Sequence, residues 1–207
     1  IPDYDEFVER LRHPLPGHLR INRLKAEPEA VLQGLREACG PLERSLGEDD
    51  CLYHSPELRT PGNRIEYFLG HIHPQAFTSC LAALVLRPRR DMLVLDLCAS
   101  PGGKTAHLAQ LMENTGFIVA NELNARRHIP LGDTLSRLGV LNTVVTHYQA
   151  QEFPLRQPFD RVLADVPCSG EGRFRQFKPG AFYRAPRNPT KLPDLQRKIL
   201  IRGFDLL

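Results

Sequence analysis

Hydrophobic and polar positions along this chain fall into two regimes. Up to about residue 60 the pattern is short and interrupted. Residues 4–12 place Phe7, Val8 and Leu11 at helical spacing, and His13-Pro14 ends the run. Leu19-Arg20-Ile21-Asn22 alternates like a strand, and residues 28–39 form an amphipathic helix closed by Gly40-Pro41. A turn-rich stretch over residues 55–63, with Pro56 and Pro61-Gly62, sets a boundary near residue 60. Beyond it the pattern becomes regular. Residues 74–86 read as an apolar helix, 92–97 as a buried strand and 104–113 as a helix. Residues 117–121 read as a second strand and 125–138 as a helix closed by Gly139. Residues 140–146 and 161–166 are a third and fourth strand, and 193–207 an amphipathic helix. Strands and helices alternating through short connections predict a doubly wound α/β domain over 61–207, behind a small α/β appendage over 1–60. Ligands of such sheets bind beyond the carboxyl ends of the strands.

Composition adds little to this picture beyond exclusions. Hydrophobic residues make up 42% of the chain, enough for a real core. No apolar run approaches the roughly 20 residues that cross a bilayer. The opening Ile-Pro-Asp-Tyr-Asp lacks a basic segment leading into an apolar one, so no signal peptide is expected. Cys39, Cys51, Cys80, Cys98 and Cys168 are odd in number and never in a Cys-x-x-Cys pair. That argues against both a disulfide framework and a structural zinc site, and for an intracellular, cytoplasmic protein with free thiols. His71 and His73 share one side of an extended segment, but without a third ligand they are expected to be structural, and no metal is predicted.

Charge divides unevenly. Residues 1–60 carry 8 Lys/Arg against 12 Asp/Glu, whereas residues 61–207 carry 19 against 12. The positive excess lies with the regular domain, as expected for a polyanionic partner. It is concentrated in residues 171–191, where Arg173, Arg175, Lys178, Arg184, Arg187 and Lys191 oppose one acid and alternate with Phe174, Phe177, Phe182 and Tyr183. Basic residues interleaved with aromatics suit single-stranded RNA, with Arg173, Arg175 and Lys178 as the first candidates for contact.

Chemistry concentrates at the predicted strand ends. Val94-Leu95-Asp96-Leu97-Cys98-Ala99-Ser100-Pro101-Gly102-Gly103-Lys104-Thr105 reads as strand, loop and helix start. Gly102 and Gly103 let a backbone approach a ligand closely, and the helix start offers unpaired N–H groups. A nucleotide triphosphate needs a Gly where Cys98 stands, and a dinucleotide needs Gly-x-Gly-x-x-Gly; both patterns fail. S-adenosylmethionine, cationic at its methionyl end and without phosphate, remains. Glu122 ends the second strand, where a carboxylate can accept both hydroxyls of an adenosyl ribose. The fourth strand delivers Asp165-Val166-Pro167-Cys168-Ser169-Gly170. A carboxylate at the end of a buried strand calls for a partner, and Pro167 stiffens the turn that presents the Cys168 thiol.

Asp96–Thr105, Asn121-Glu122 and Asp165–Gly170 together resemble the Sun-type (Fmu-like) family of RNA cytosine-5 methyltransferases. Leu19–Lys25 is similar to that family's N-terminal RNA-binding appendage, and Phe68–Ser79 to the helix before its first strand. The resemblance implies a Rossmann-like, S-adenosylmethionine-dependent methyltransferase sheet. It further implies methyl transfer from S-adenosylmethionine to C5 of cytosine in ribosomal or transfer RNA. Cys98, Ala99, Ser100, Pro101, Gly102, Gly103 and Lys104 would line the methionyl moiety, and Glu122 would hold the ribose. Asp165 would lie beside the cofactor and reacting centre with Lys104 near it, and Cys168 would release the product. Two departures stand out. The family's acidic adenine-binding residue is replaced by Gln149, which can accept the same hydrogen bond without charge. The family's nucleophile, a Cys after a Thr on a fifth strand, does not occur in this sequence and is expected beyond Leu207. Cytosine C5 is a poor nucleophile until a thiolate adds at C6, so the expectation is a C-terminally incomplete domain that is inactive alone. The alternatives are a catalytically silent RNA- or cofactor-binding protein, or a methyltransferase with another acceptor.

Overall fold

Two four-stranded sheets, each with its own helices, account for the chain. A computed structural model describes residues 3–12, 17–47, 51–169 and 191–207. After α1 (Tyr4–Arg12), the first sheet pairs β1 (Gly17–Ile21), β2 (Glu43–Arg44), β3 (Leu52–Ser55) and β4 (Ile72–Pro74) in the antiparallel order β2-β3-β1-β4. The helix α2 (Pro28–Cys39) lies between β1 and β2 in sequence. Pro28 supplies a preset φ at its start and Gly40, at φ 72°, turns the chain out of it. Val31, Leu32 and Leu35 of this helix close over Leu19, Ile21, Tyr53 and Ile72. Each such side chain contributes about 1.5–3 kcal/mol by leaving water. The short helix α3 (Ile65–Phe68) precedes β4.

The first sheet therefore contains chain on both sides of residue 60. The expected 74–86 helix divides into β4 and α4 (Phe77–Leu86). Pro74 is compatible with a strand because β4 is an edge, where its missing N–H breaks no ladder.

The second sheet follows the predicted alternation. Strands β5 (Leu93–Asp96), β6 (Phe117–Asn121), β7 (Thr143–Thr146) and β8 (Arg161–Leu163) are parallel in the order β7-β6-β5-β8. Alternate residues of β5 face opposite layers. Val94 packs with α4 and with α5 (Gly103–Leu111), while Leu95 packs toward α7 (Leu192–Asp205). The helix α6 (His128–Arg137) lies beside α5 through Ala106, Leu131 and Leu135. This is the doubly wound arrangement, and the order reverses at β5, which opens a cleft at its carboxyl end.

The sheets meet across buried polar groups. Arg20 is fully buried and donates through Nε to Gln75 Oε1 at 3.2 Å and through Nη1 to Gln110 Oε1. Asn22 Nδ2 donates to the carbonyls of Gly70 and Leu138, each at 2.8 Å. Arg137 donates to Tyr67 O at 2.7 Å and to His73 Nδ1 at 3.0 Å. No helix of the described residues is long and apolar enough to cross a membrane.

Candidate functional site

The cleft is built from β5 outward. Asp96 ends the strand almost fully buried, accepts from the Thr105 hydroxyl at 2.8 Å and takes the Cys98 N–H at 3.3 Å. Burial raises its pKa to about 6, against the opposing hydrogen bonds from Thr105 and Cys98 and the charge of Lys104. Asp96 is thus a tie between the loop and α5. Its neighbour on β6, Asn121, is a clamp. Its Nδ2 donates to Leu97 O at 3.2 Å and Tyr148 O at 2.9 Å, and its Oδ1 accepts from Thr146 Oγ1 and Tyr148 N. One side chain thereby holds the loops after β5 and β7 to the end of β6.

Beyond this clamp lies a cavity of about 200 Å³. Its walls include Leu97, Cys98, Leu123, Pro167, Leu195 and Ile199, with Glu122 and Gln149 among its polar groups. Glu122 is buried; Oε1 accepts the Asn124 N–H at 2.8 Å and Oε2 lies 3.3 Å from Arg127 Nη1. Arg127 also donates to Ser100 O at 2.7 Å, so it joins the Glu122 carboxylate to the loop. Gln149 is exposed. Its amide nitrogen donates to Glu152 Oε2 and its carbonyl accepts from Gln151, both at 2.9 Å, which leaves one carbonyl lone pair for a further donor.

Lys104 Nζ and Asp165 Oδ2 are 2.6 Å apart. The partner expected for Asp165 is present, but the reason is different. β8 stops at Leu163, and the Asp165 side chain is 53% exposed, so it is not a carboxylate buried at a strand end. Cys168 is exposed, and Gln196 of α7 donates to the preceding Pro167 O at 2.7 Å. The Cys98 thiol is pushed up to about 12, first by burial and then by the negative charges of Asp96, Glu122 and Asp165. Arg127 opposes that rise.

The structure brings Cys98, Glu122 and Gln149 into one cavity and pairs Lys104 with Asp165. It turns the intervening loop inward. Ala99 packs against α6, and Ser100 Oγ donates to Arg127 O at 3.1 Å. Gly102 adopts φ 100° and a side chain there would touch Leu131 and Thr134, while one at Gly103 would lie 2.8 Å from His73 Nε2. Internal packing thus gives both glycines a reason of its own, beside the approach of a ligand expected from the sequence. Pro101 is exposed. Arg173, Arg175 and Lys178 lie outside the described residues. Leu207, the reference point for the expected nucleophile, has no part in the cleft. It follows α7 with its side chain exposed, donates its N–H to Phe204 O at 3.2 Å and does not line the cavity. Sequence reading missed Arg127, Leu123 and the α7 residues Leu195 and Ile199; the last two sit at helical i, i+4 spacing, which was the available signal. No group of three or more His, Cys, Asp or Glu able to hold a metal occurs among the described residues.

A parallel sheet whose order reverses at its first strand, with a carboxylate at the tip of the second, is a Rossmann-like arrangement, the class to which methyltransferases of this fold belong. Residues 83–207 match the family described as 16S rRNA methyltransferase RsmB/F, and the chain belongs to that family. The family uses S-adenosylmethionine as methyl donor. The chain is 36% identical over 206 residues to the human 28S rRNA (cytosine(4447)-C(5))-methyltransferase, covering 97% of this chain and 25% of that protein. It is 35% identical to ribosomal RNA small subunit methyltransferase F of Pectobacterium carotovorum, covering 98% of this chain and 43% of the other. A methyltransferase homologue from Pyrococcus horikoshii superposes with a TM-score of 0.82 at 29% identity, over 99% of this chain and 65% of that one. The chain spans less than half the length of these two curated relatives.

Proposed function

We propose that this chain is the S-adenosylmethionine-binding part of an RNA cytosine-5 methyltransferase acting on ribosomal RNA. The observation that carries the cofactor is the cavity at the carboxyl end of the parallel sheet, which Cys98 of the first loop, Glu122 at the tip of the second strand and Gln149 line together. The one cation among its described lining residues, Arg127, is paired with Glu122, so the lining suits an adenosyl group better than a triphosphate. The lining of the cavity supports the adenosine part: apolar walls from Leu97, Leu123 and Ile199 suit adenine, and the Glu122 carboxylate suits the ribose diol. Gln149 lines the same cavity and would accept from the adenine amino group. Bound there, S-adenosylmethionine supplies an electrophilic methyl group. Lys104 and Asp165 form a charge pair, and Cys168 presents an exposed thiol three residues after Asp165.

The roles follow from what each thiol can do. Attack on cytosine C6 needs a thiolate, and Cys98 is held neutral. Cys168 follows a Pro, not a Thr, and takes the releasing role, leaving the attack to a Thr-Cys thiol that this sequence lacks. Residues 171–191 supply contact to the RNA through Arg173, Arg175 and Lys178. Ribosomal RNA is preferred to transfer RNA because the curated relatives are named for it. The test is bisulfite sequencing of both RNA classes from cells with and without the gene. One ribosomal cytosine should lose its methylation; intact ribosomal methylation with a loss in transfer RNA, or no change in either, contradicts the reading.

A further inference from the structure

We propose that the His18–His54 end of the first sheet's inner face is a stacking site for one unpaired base of RNA. The inference deepens the RNA-methyltransferase reading and rests on it.

Side chains alternate across a strand, so β1 has two faces. Leu19 and Ile21 enter the core beneath α2. His18 and Arg20 point the other way, toward the methyltransferase domain. Arg20 is covered there by Gln75 and Gln110. His18, one step along the same face, is left at the rim of a cavity of about 760 Å³.

Three rings gather at that rim. His18 and His54 are cross-strand partners on the two central strands of the sheet. Their centroids are 5.3 Å apart and their planes only 21° from parallel. Phe77, at the start of α4, stands 5.6 Å from His18 at 46°. Ser45 Oγ lies 3.1 Å from His54 Nδ1 and fixes the plane of that ring. The helix–strand order of this unit, with β1 and β3 central, is the split βαβ arrangement, in which RNA-recognition sheets carry stacking aromatics on the central strands.

The lining selects the ligand. None of the described residues around the cavity is Lys or Arg, and Glu43 Oε2 sits 3.8 Å from His54 Nε2. A phosphate is therefore disfavoured, whereas a flat neutral heterocycle gains ring contact on an apolar floor. The location selects the nucleotide. Gln75 lines this cavity, and its amide lies 3.8 Å from where a Gly103 side chain would stand, next to Lys104 of the candidate active site. The base held here is a neighbour of the target cytosine on the same strand, not the target.

The test uses the full chain and a fluorescent single-stranded RNA of about twelve nucleotides, followed by anisotropy across a salt series. His18→Ala and Phe77→Ala should each weaken binding by about five- to a hundred-fold, the range of one lost base stack. The salt slope should not change, because no phosphate contact is lost, and His18→Phe should keep the affinity. In the unsubstituted chain, RNA carrying 5-iodouridine should photocross-link to His18, His54 or Phe77, a readout that needs no variant to fold. Cross-links that avoid these residues, or unchanged affinity in both alanine variants, overturn the stacking site alone. Failure of the unsubstituted chain to bind RNA overturns the underlying reading with it.

Discussion

Cys98 and Cys168 have different surroundings. Cys98 is pushed up to about 12, chiefly by burial and then by the acids around it, whereas Cys168 faces solvent. Iodoacetamide at pH 8 should therefore alkylate Cys168 and spare Cys98, read by peptide mass mapping; modification of Cys98 first would contradict the burial that raises its thiol. The same assignment predicts what happens in a protein that also carries the Thr-Cys thiol. There Cys168→Ala should accumulate a covalent RNA adduct, seen as a slow band that survives denaturation and vanishes when the Thr-Cys thiol is replaced. At this scale the sequence was informative where a residue sits in a short motif. Glu122 and Lys104 were legible because strand, loop and helix fix their places. Arg127 was not, since its bonds to Glu122 and Ser100 depend on how α6 docks.

Among the elements, α5 depends most on its neighbours. Its first residue, Gly103, faces His73 of β4, so Gly103→Ala should force the helix start away from the first sheet. We expect a loss of about 1–3 kcal/mol in thermal or urea unfolding, with weaker cofactor binding. An unchanged protein would mean that His73 gives way freely. The helices were readable from their regular apolar spacing, and the parallel strands as short apolar runs between helices and turns. The strands β2, β3 and β4 were not: Glu43–Arg44 has only two residues, and Leu52-Tyr53-His54-Ser55 shows neither an apolar run nor alternation. For the basic stretch over residues 171–191, replacing Arg173, Arg175 and Lys178 together should weaken RNA binding and flatten its salt dependence by up to about three counterions. An unchanged slope would remove these residues from the interface.

Across the whole molecule, the seam between the two sheets sets the response to acid. Burial, then the charges of Arg20 and Arg137, lowers the His73 pKa to about 3, and burial with Arg20 and His73 holds His107 well below the usual imidazole range. Both are neutral when folded, yet in the unfolded chain each takes up a proton below about pH 6.5. The unfolded state then binds more protons, so the stability they contribute is complete above about pH 6.5 and is lost as the pH falls toward 3. Between pH 6.5 and 5 each should cost about 2 kcal/mol. The thermal midpoint should fall over that interval in the native chain and fall less in His107→Leu. Equal slopes would place the acid sensitivity elsewhere. The central claim, that the carboxyl edge of the parallel sheet is built for an adenosyl amino-acid cofactor, is tested most directly by isothermal titration of the 207-residue chain. S-adenosylhomocysteine should bind, Glu122→Ala should weaken it at least about tenfold through the lost ribose hydrogen bonds, and ATP should show no comparable heat. ATP binding as strong as that of S-adenosylhomocysteine, or S-adenosylhomocysteine binding indifferent to Glu122, would contradict the assignment.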